Sequence, residues 1–231
     1  MYVVDARDFK WIVNGVFEHT QCVYLKPIDG KLTASFRDPA MAAFIVLSIP
    51  CEQQPEEPFD LVFDMNKTTT KFIKKLKDKV SIELGQGFYV IKSGNLTYRP
   101  QIVNKEFAKY EQLDLNKFSF NLHVTIDAKD FKDAVSLIDQ IDIALHIDGD
   151  TFKVYGMEYG KKQDIEAEIE LDADYGEYVS YYARDYLKYI ADMAKDTIAF
   201  HFNTQQDIYP LKADFTEDSF VVLAPRIVED E

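Results

Sequence analysis

The chain contains one phrase twice. Asp5-Ala6-Arg7-Asp8-Phe9-Lys10 returns near the middle as Asp127-Ala128-Lys129-Asp130-Phe131-Lys132. Each copy opens an amphipathic helix. Each helix leads to a strand and an Asp-Gly turn, Ile28-Asp29-Gly30 in the first half and Ile147-Asp148-Gly149 in the second. A repeat at half the chain length means two similar domains in tandem, so function is expected to draw on their symmetry. The sequence divides at 1–115 and 116–231.

Apolar residues make up 47% of the chain, enough for two cores. No apolar run is long enough to span a bilayer, and the first residues lack the basic and apolar regions of a signal peptide. Cys22 and Cys51 form no metal or redox spacing. They read as packed thiols of a cytoplasmic protein, nuclear in a eukaryote, rather than as a structural disulfide. The four histidines are scattered through the sequence, so neither a metal site nor a cofactor is expected.

Hydrophobic periodicity sets the elements. Phe9, Ile12, Val13, Val16 and Phe17 form one helical stripe over about 8–19. Phe72, Ile73 and Leu76 give a shorter stripe to a Lys-rich helix that Asn66 can cap. The second half repeats the pattern with Phe131, Ala134, Val135 and Ile138, and then with Leu187, Ile190, Ala191 and Ala194. Alternating strands fill the rest, about nine per half, including one at 102–113. Two helices on one face of antiparallel sheets make an α+β architecture.

Net charge is −14, from 40 acidic and 26 basic residues, which by itself disfavours binding to phosphates. Residues 66–79 are the exception, with six lysines against one aspartate. Lys67/Lys71 and Lys71/Lys75 are like charges one helical turn apart, each pair costing ~0.2–0.5 kcal/mol, so some use must offset them. Basic residues also lie opposite the apolar stripe on the other helices: Lys10 on the first, Lys129 and Lys132 on the third, Arg184 and Lys188 on the fourth. A surface carrying these with Lys67, Lys71, Lys74 and Lys75 would suit a polyanion, held through phosphates without sequence preference.

These features resemble the DNA sliding clamps of the proliferating cell nuclear antigen (PCNA) type, over essentially the whole chain. The resemblance rests on the duplicated order of elements and on three local matches. Arg37-Asp38-Pro39-Ala40-Met41 ahead of an apolar strand resembles the family's Met-Asp-Pro/Ser segment. Ala183-Arg184-Asp185-Tyr186-Leu187 resembles its second-domain helix start. Leu223-Ala224-Pro225-Arg226-Ile227 with the acidic Val228-Glu229-Asp230-Glu231 resembles its C-terminal tail. Length and the Asp-Pro pair are closer to archaeal or virus-encoded members.

The resemblance implies a trimeric ring with helices lining the hole and antiparallel sheets outside. Such a ring encircles double-stranded DNA and tethers DNA polymerase, a clamp loader and other motif-bearing DNA enzymes. Its edges would be Asn104–Leu113, presenting Lys105, Phe107 and Lys109, and Gln163–Leu171, presenting Asp164, Glu166, Glu168 and Glu170; opposite charge suits head-to-tail pairing. A client pocket would use Arg37, Pro39, Leu115, Tyr209, Pro210, Leu223, Ala224 and Pro225. The connector between the domains reads as curtailed, and Arg37 stands where the family usually has Met.

Two further readings stay open: a subunit that works only in a heteromeric ring, and an acidic protein-interaction module that never touches DNA. A hydrolase finds no motif, neither G-x-S-x-G nor a P-loop.

Overall fold

The structure, a computed structural model, describes residues 1–158, 161–206 and 208–227. The Asp164 side chain and the tail at 228–231 lie outside the described residues. The chain forms two compact units, Met1–Leu113 and Asp114–Glu231. No helix of the described residues is long and apolar enough to cross a membrane.

The first unit runs β1 (Tyr2–Asp5), α1 (Ala6–Phe17), β2 (Cys22–Ile28), β3 (Lys31–Arg37), β4 (Ala43–Pro50), β5 (Leu61–Asp64), α2 (Lys67–Lys75), β6 (Lys79–Leu84), β7 (Tyr89–Ser93) and β8 (Leu96–Tyr98). The second runs β9 (Leu122–Asp127), α3 (Ala128–Ser136), β10 (Asp142–Asp148), β11 (Thr151–Glu158), β12 (Lys161–Glu170), β13 (Glu177–Ala183), α4 (Arg184–Met193), β14 (Thr197–Phe202), β15 (Leu211–Thr216) and β16 (Ser219–Leu223). Strand order in the first unit is β1-β6-β7-β8 in one sheet and β5-β2-β3-β4 in the other. The second unit repeats this with β12-β11-β10-β13 and β16-β15-β14-β9.

The repeated phrase encodes a helix start. Asp5 and Asp127 are N-caps whose carboxylates accept from the amides of Arg7 at 2.7 Å and Lys129 at 2.8 Å. These bonds satisfy amides that have no partner within the helix. The next residue, Ala6 or Ala128, donates its amide at 2.9 Å to Asp78 or Asp196, tying the helix start to the end of the unit's other helix. Phe9 and Phe131 then anchor the helix, both fully buried. Each phrase is therefore a strand end, a cap and a core anchor in six residues.

Each α1-type helix buries the expected stripe, except that Phe17 is exposed at the C-terminus of α1. In α2, Ile73 and Leu76 are buried while Phe72 stacks on Tyr98 at 5.0 Å. Asn66 caps it as expected, accepting from Thr68 and Thr69 at 2.9 and 3.0 Å. The helix stops at Lys75, short of 79: Leu76 leaves the helical conformation at ψ 144°, and Asp78, at φ 56°, turns the chain into β6.

Three sequence expectations fail here. Among the described residues each unit holds eight strands, not about nine. The segment Asn104–Leu113 is not a strand: Lys105–Phe107 forms a 3-10 turn capped by Asn104, and no ladder follows. Pro100, which lacks an amide proton, closes β8 soon after Tyr98, so the edge of that sheet is β8. The connector is consequently not curtailed. Residues 102–121 run without a strand through two 3-10 turns, Lys105–Phe107 and Leu115–Lys117.

Candidate nucleic-acid interface and client cleft

The helix α2 is the most one-signed element. Lys67, Lys71, Lys74 and Lys75 are all exposed on the side opposite Ile73 and Leu76, with no acidic residue in the helix. None of the four takes part in an ion pair among the described residues. On α1, Lys10 is half-buried and Arg7 exposed, with Asp8 in the first turn.

The second unit differs. Lys132 pairs with Asp192 across α3 and α4 at 2.7 Å, and Arg184 reaches Asp139 at 3.4 Å. Asp130 and Asp133 offset Lys129 and Lys132 on α3, and Asp185 and Asp192 offset Arg184 and Lys188 on α4. Like-charge crowding is thus greatest on α2, where an external anion would relieve it.

Among the strands at sheet ends are β8 in the first unit and β12 in the second. On β12, Ile169 is buried and Glu168 and Glu170 are exposed, and with Ala167 they line a hollow against α3. Glu166 is not free for a partner, because Lys162 binds its carboxylate. Three exposed apolar side chains, Leu137, Ile141 and Ile165, belong to the α3–β10 turn region and to β12. Lys105 does not serve an edge either. It binds Asp60, which also accepts from the Tyr24 hydroxyl at 2.8 Å. Burial works to raise the Asp60 pKa, but the bonds from Lys105 and Tyr24 outweigh it and hold the carboxyl below its usual range. The same burial and bond push Tyr24 up to about 12.

Phe107 and Lys109 instead line a cleft of about 700 Å³ in the first unit, together with Phe36, Arg37, Pro39 and Met41. Its wall is a rigid turn. Asp38, 3% exposed, accepts from the amides of Ala43 at 2.6 Å and Ala40 at 2.9 Å. Met41 accordingly sits at φ 59° with its side chain 67% exposed. Phe107 projects from the far lip, 76% exposed. Arg37 is already matched by Glu111 at 3.7 Å, so its charge at the rim is partly spent within the chain. Burial lowers the pKa of His19 at the cleft floor, with Asp38 opposing, so its imidazole is neutral at neutral pH.

The expected second-unit pocket residues separate into two kinds. Leu223 is 1% exposed and paired with Leu211 inside the sheet, so it belongs to the core. This corrects the sequence expectation: β16 is buried on both faces at its end. Ala224 is exposed, Pro225 half-buried and Leu115 half-buried. Tyr209 and Pro210 are half-buried, and the Tyr209 hydroxyl accepts from the Ser119 amide at 2.7 Å. Its ring meets Phe118 and Phe120 edge-on, forming an aromatic cluster at the start of the second unit.

No family sequence model and no curated protein sequence matches the chain. Solved structures do. PCNA of A. fulgidus, in a structure bound to the C-terminal region of FEN-1, superposes with a TM-score of 0.81 at 21% identity, covering 100% of both chains. PCNA from Thermococcus kodakaraensis gives 0.78 at 14% identity over 98% of this chain and 100% of that one. A chain of the PCNA2-PCNA3 complex from Sulfolobus tokodaii gives 0.76 at 20% identity over 98% and 99%. The chain has the fold of the PCNA-type sliding clamps.

Proposed function

We propose that this chain is a subunit of a sliding clamp, a ring that encircles duplex DNA and tethers polymerases and other DNA enzymes to it. The observation that carries the reading is α2: four exposed lysines without an acidic neighbour in the helix, in a chain of net charge −14 with the clamp fold. A clamp must hold DNA without gripping it. Topology supplies the hold, so a few mobile lysines near phosphates suffice, and an acidic exterior keeps DNA from binding outside. No bond is made or broken by such a protein; it acts as a scaffold.

Ring closure would pair the β8 edge of one copy with the β12 edge of the next, since unpaired strand edges are templates for further pairing. Clients would seat aromatic side chains in the first-unit cleft between Met41 and Phe107. Each apolar group buried there would contribute about 1.5–3 kcal/mol before ordering costs.

The test is topological. The protein is assembled on a nicked circular plasmid with a clamp loader, and the DNA is then linearised. Retention on the circle and release from the linear form is the expected result. Equal retention on both, or none on either with loader present, would overturn encirclement.

A further inference from the structure

Two histidines that lie far apart in the sequence are opposed across one ladder. His123 on β9 is the direct register partner of His201 on β14. Leu122, Val124, Phe200 and Phe202 turn into the core, so strand alternation turns both imidazoles to the other face. Their Nδ1 atoms face each other at 2.5 Å. His201 Nε2 lies 2.7 Å from Asp214 Oδ2, and Lys212 Nζ holds the same carboxylate at 2.6 Å.

These contacts fix the tautomers. The Asp214 carboxylate, paired with Lys212, accepts, so His201 donates from Nε2, and its Nδ1 presents a lone pair. His123 must then supply the proton of the Nδ1–Nδ1 bond. Moving that proton to the Nε2 of the exposed His123 leaves two lone pairs facing each other, and a turn of the His123 ring aims both at one point. A carboxylate behind a histidine, with the free nitrogen turned outward, is the arrangement that orients metal-ligating imidazoles and raises their basicity.

We propose that His123 and His201 form a chelating pair for a divalent transition-metal ion of the copper, nickel or zinc type, with Asp214 as the supporting carboxylate. Metal–nitrogen bonds of about 2.0–2.1 Å require the two nitrogens to stand roughly 3 Å apart, so the pair opens by less than about 1 Å. Rotation of the exposed His123 side chain supplies that movement. Among the described residues no group of three His, Cys, Asp or Glu side chains is placed to hold a metal ion together, so water completes the coordination and the ion exchanges readily. Imidazole nitrogens select copper over zinc and offer little to magnesium or calcium. Because β9 is the end strand of its sheet in the second unit, the ion would pin that edge to β14.

The experiment is calorimetric titration of the metal-stripped, tag-free chain with Cu²⁺, Zn²⁺ and Mg²⁺ separately, with electron paramagnetic resonance of the copper form. One copper per chain, a weaker zinc isotherm, no magnesium heat and hyperfine coupling to two nitrogens are expected. His123→Ala and His201→Ala should each weaken copper at least about ten-fold, Asp214→Asn also about ten-fold, and His146→Ala should leave it unchanged. If His201→Ala does not fold, His123→Gln alone decides, since its side chain is exposed. Wild-type affinity and stoichiometry in the His123 variant, or copper without nitrogen coupling, would overturn the proposal.

Discussion

At the scale of single residues, Asp60 does most to set the connector. It joins Lys105 of the first 3-10 turn to Tyr24 of β2, and Tyr110 further along packs tilted against Tyr24 at 5.5 Å under Lys26. The Asp60 carboxyl is held below its unfolded pKa of about 3.9, so its stabilisation is complete above that pH and is lost as pH falls through the folded value. Asp60→Asn should therefore cost about 1–3 kcal/mol at neutral pH and nothing once the wild-type carboxyl is protonated. Urea unfolding at neutral and strongly acidic pH checks this, and amide exchange at 103–111 should rise in the variant. An equal cost at both pH values would mean that the carboxylate charge contributes nothing. Little of this was legible in the sequence. Lys105, Phe107 and Lys109 alternate as a strand would, yet Lys105 turns inward to an acid that follows β4, and only the fold brings the two together. The histidine pair is hidden for the same reason, because register rather than spacing creates it.

At the scale of elements, the helices and the first hairpin are legible in the sequence, while the alternation at 102–113 misleads. Caps, stripes and Asp-Gly turns depend on neighbours within a few residues, so α1 to α4 and the first hairpin follow from the sequence. The hairpin turn needs Asp29 at φ 46° and Gly30 at 83°, the conformations for which that dipeptide is suited. What local pattern could not give is how many of the helix bases are already paired. The sequence puts basic residues on all four helices; the structure leaves α2 alone free of acid. Replacing Lys67, Lys71, Lys74 and Lys75 by Ala should reduce the slope of log affinity against log salt by up to about 3–4 units for duplex DNA, if each lysine releases about one counterion. Thermal stability should hold or rise slightly, as like-charge pairs are removed. Lys129→Ala with Lys188→Ala should change the slope far less, given the aspartates on α3 and α4. Fluorescence anisotropy over a salt series measures both, and equal effects of the two sets would dismiss the asymmetry.

At the scale of the whole molecule, the duplication gives the two units unequal sheet ends at β8 and β12. The first unit ends one sheet on three residues, Leu96–Tyr98, with Leu96 exposed. The second ends its sheet on the ten residues of β12, with Ile165, Glu168 and Glu170 exposed. Two such edges suit a head-to-tail contact, which closes into a ring when the rotation per subunit allows. Light scattering coupled to size exclusion should give a trimer. Leu96→Asp should shift it toward monomer, because it places an acid on the edge that meets the glutamates of β12; Leu96→Lys should be tolerated better, its charge being complementary. Lys105→Glu with Lys109→Glu should leave the trimer intact, since those residues belong to the connector and the cleft. That last result separates the β8 edge from the edge the sequence suggested: dissociation by the lysine pair, with both Leu96 variants trimeric, would return the contact to 104–113. A wild-type chain that stays monomeric alone and joins a ring only with a second clamp subunit would select the heteromeric form over the homotrimer.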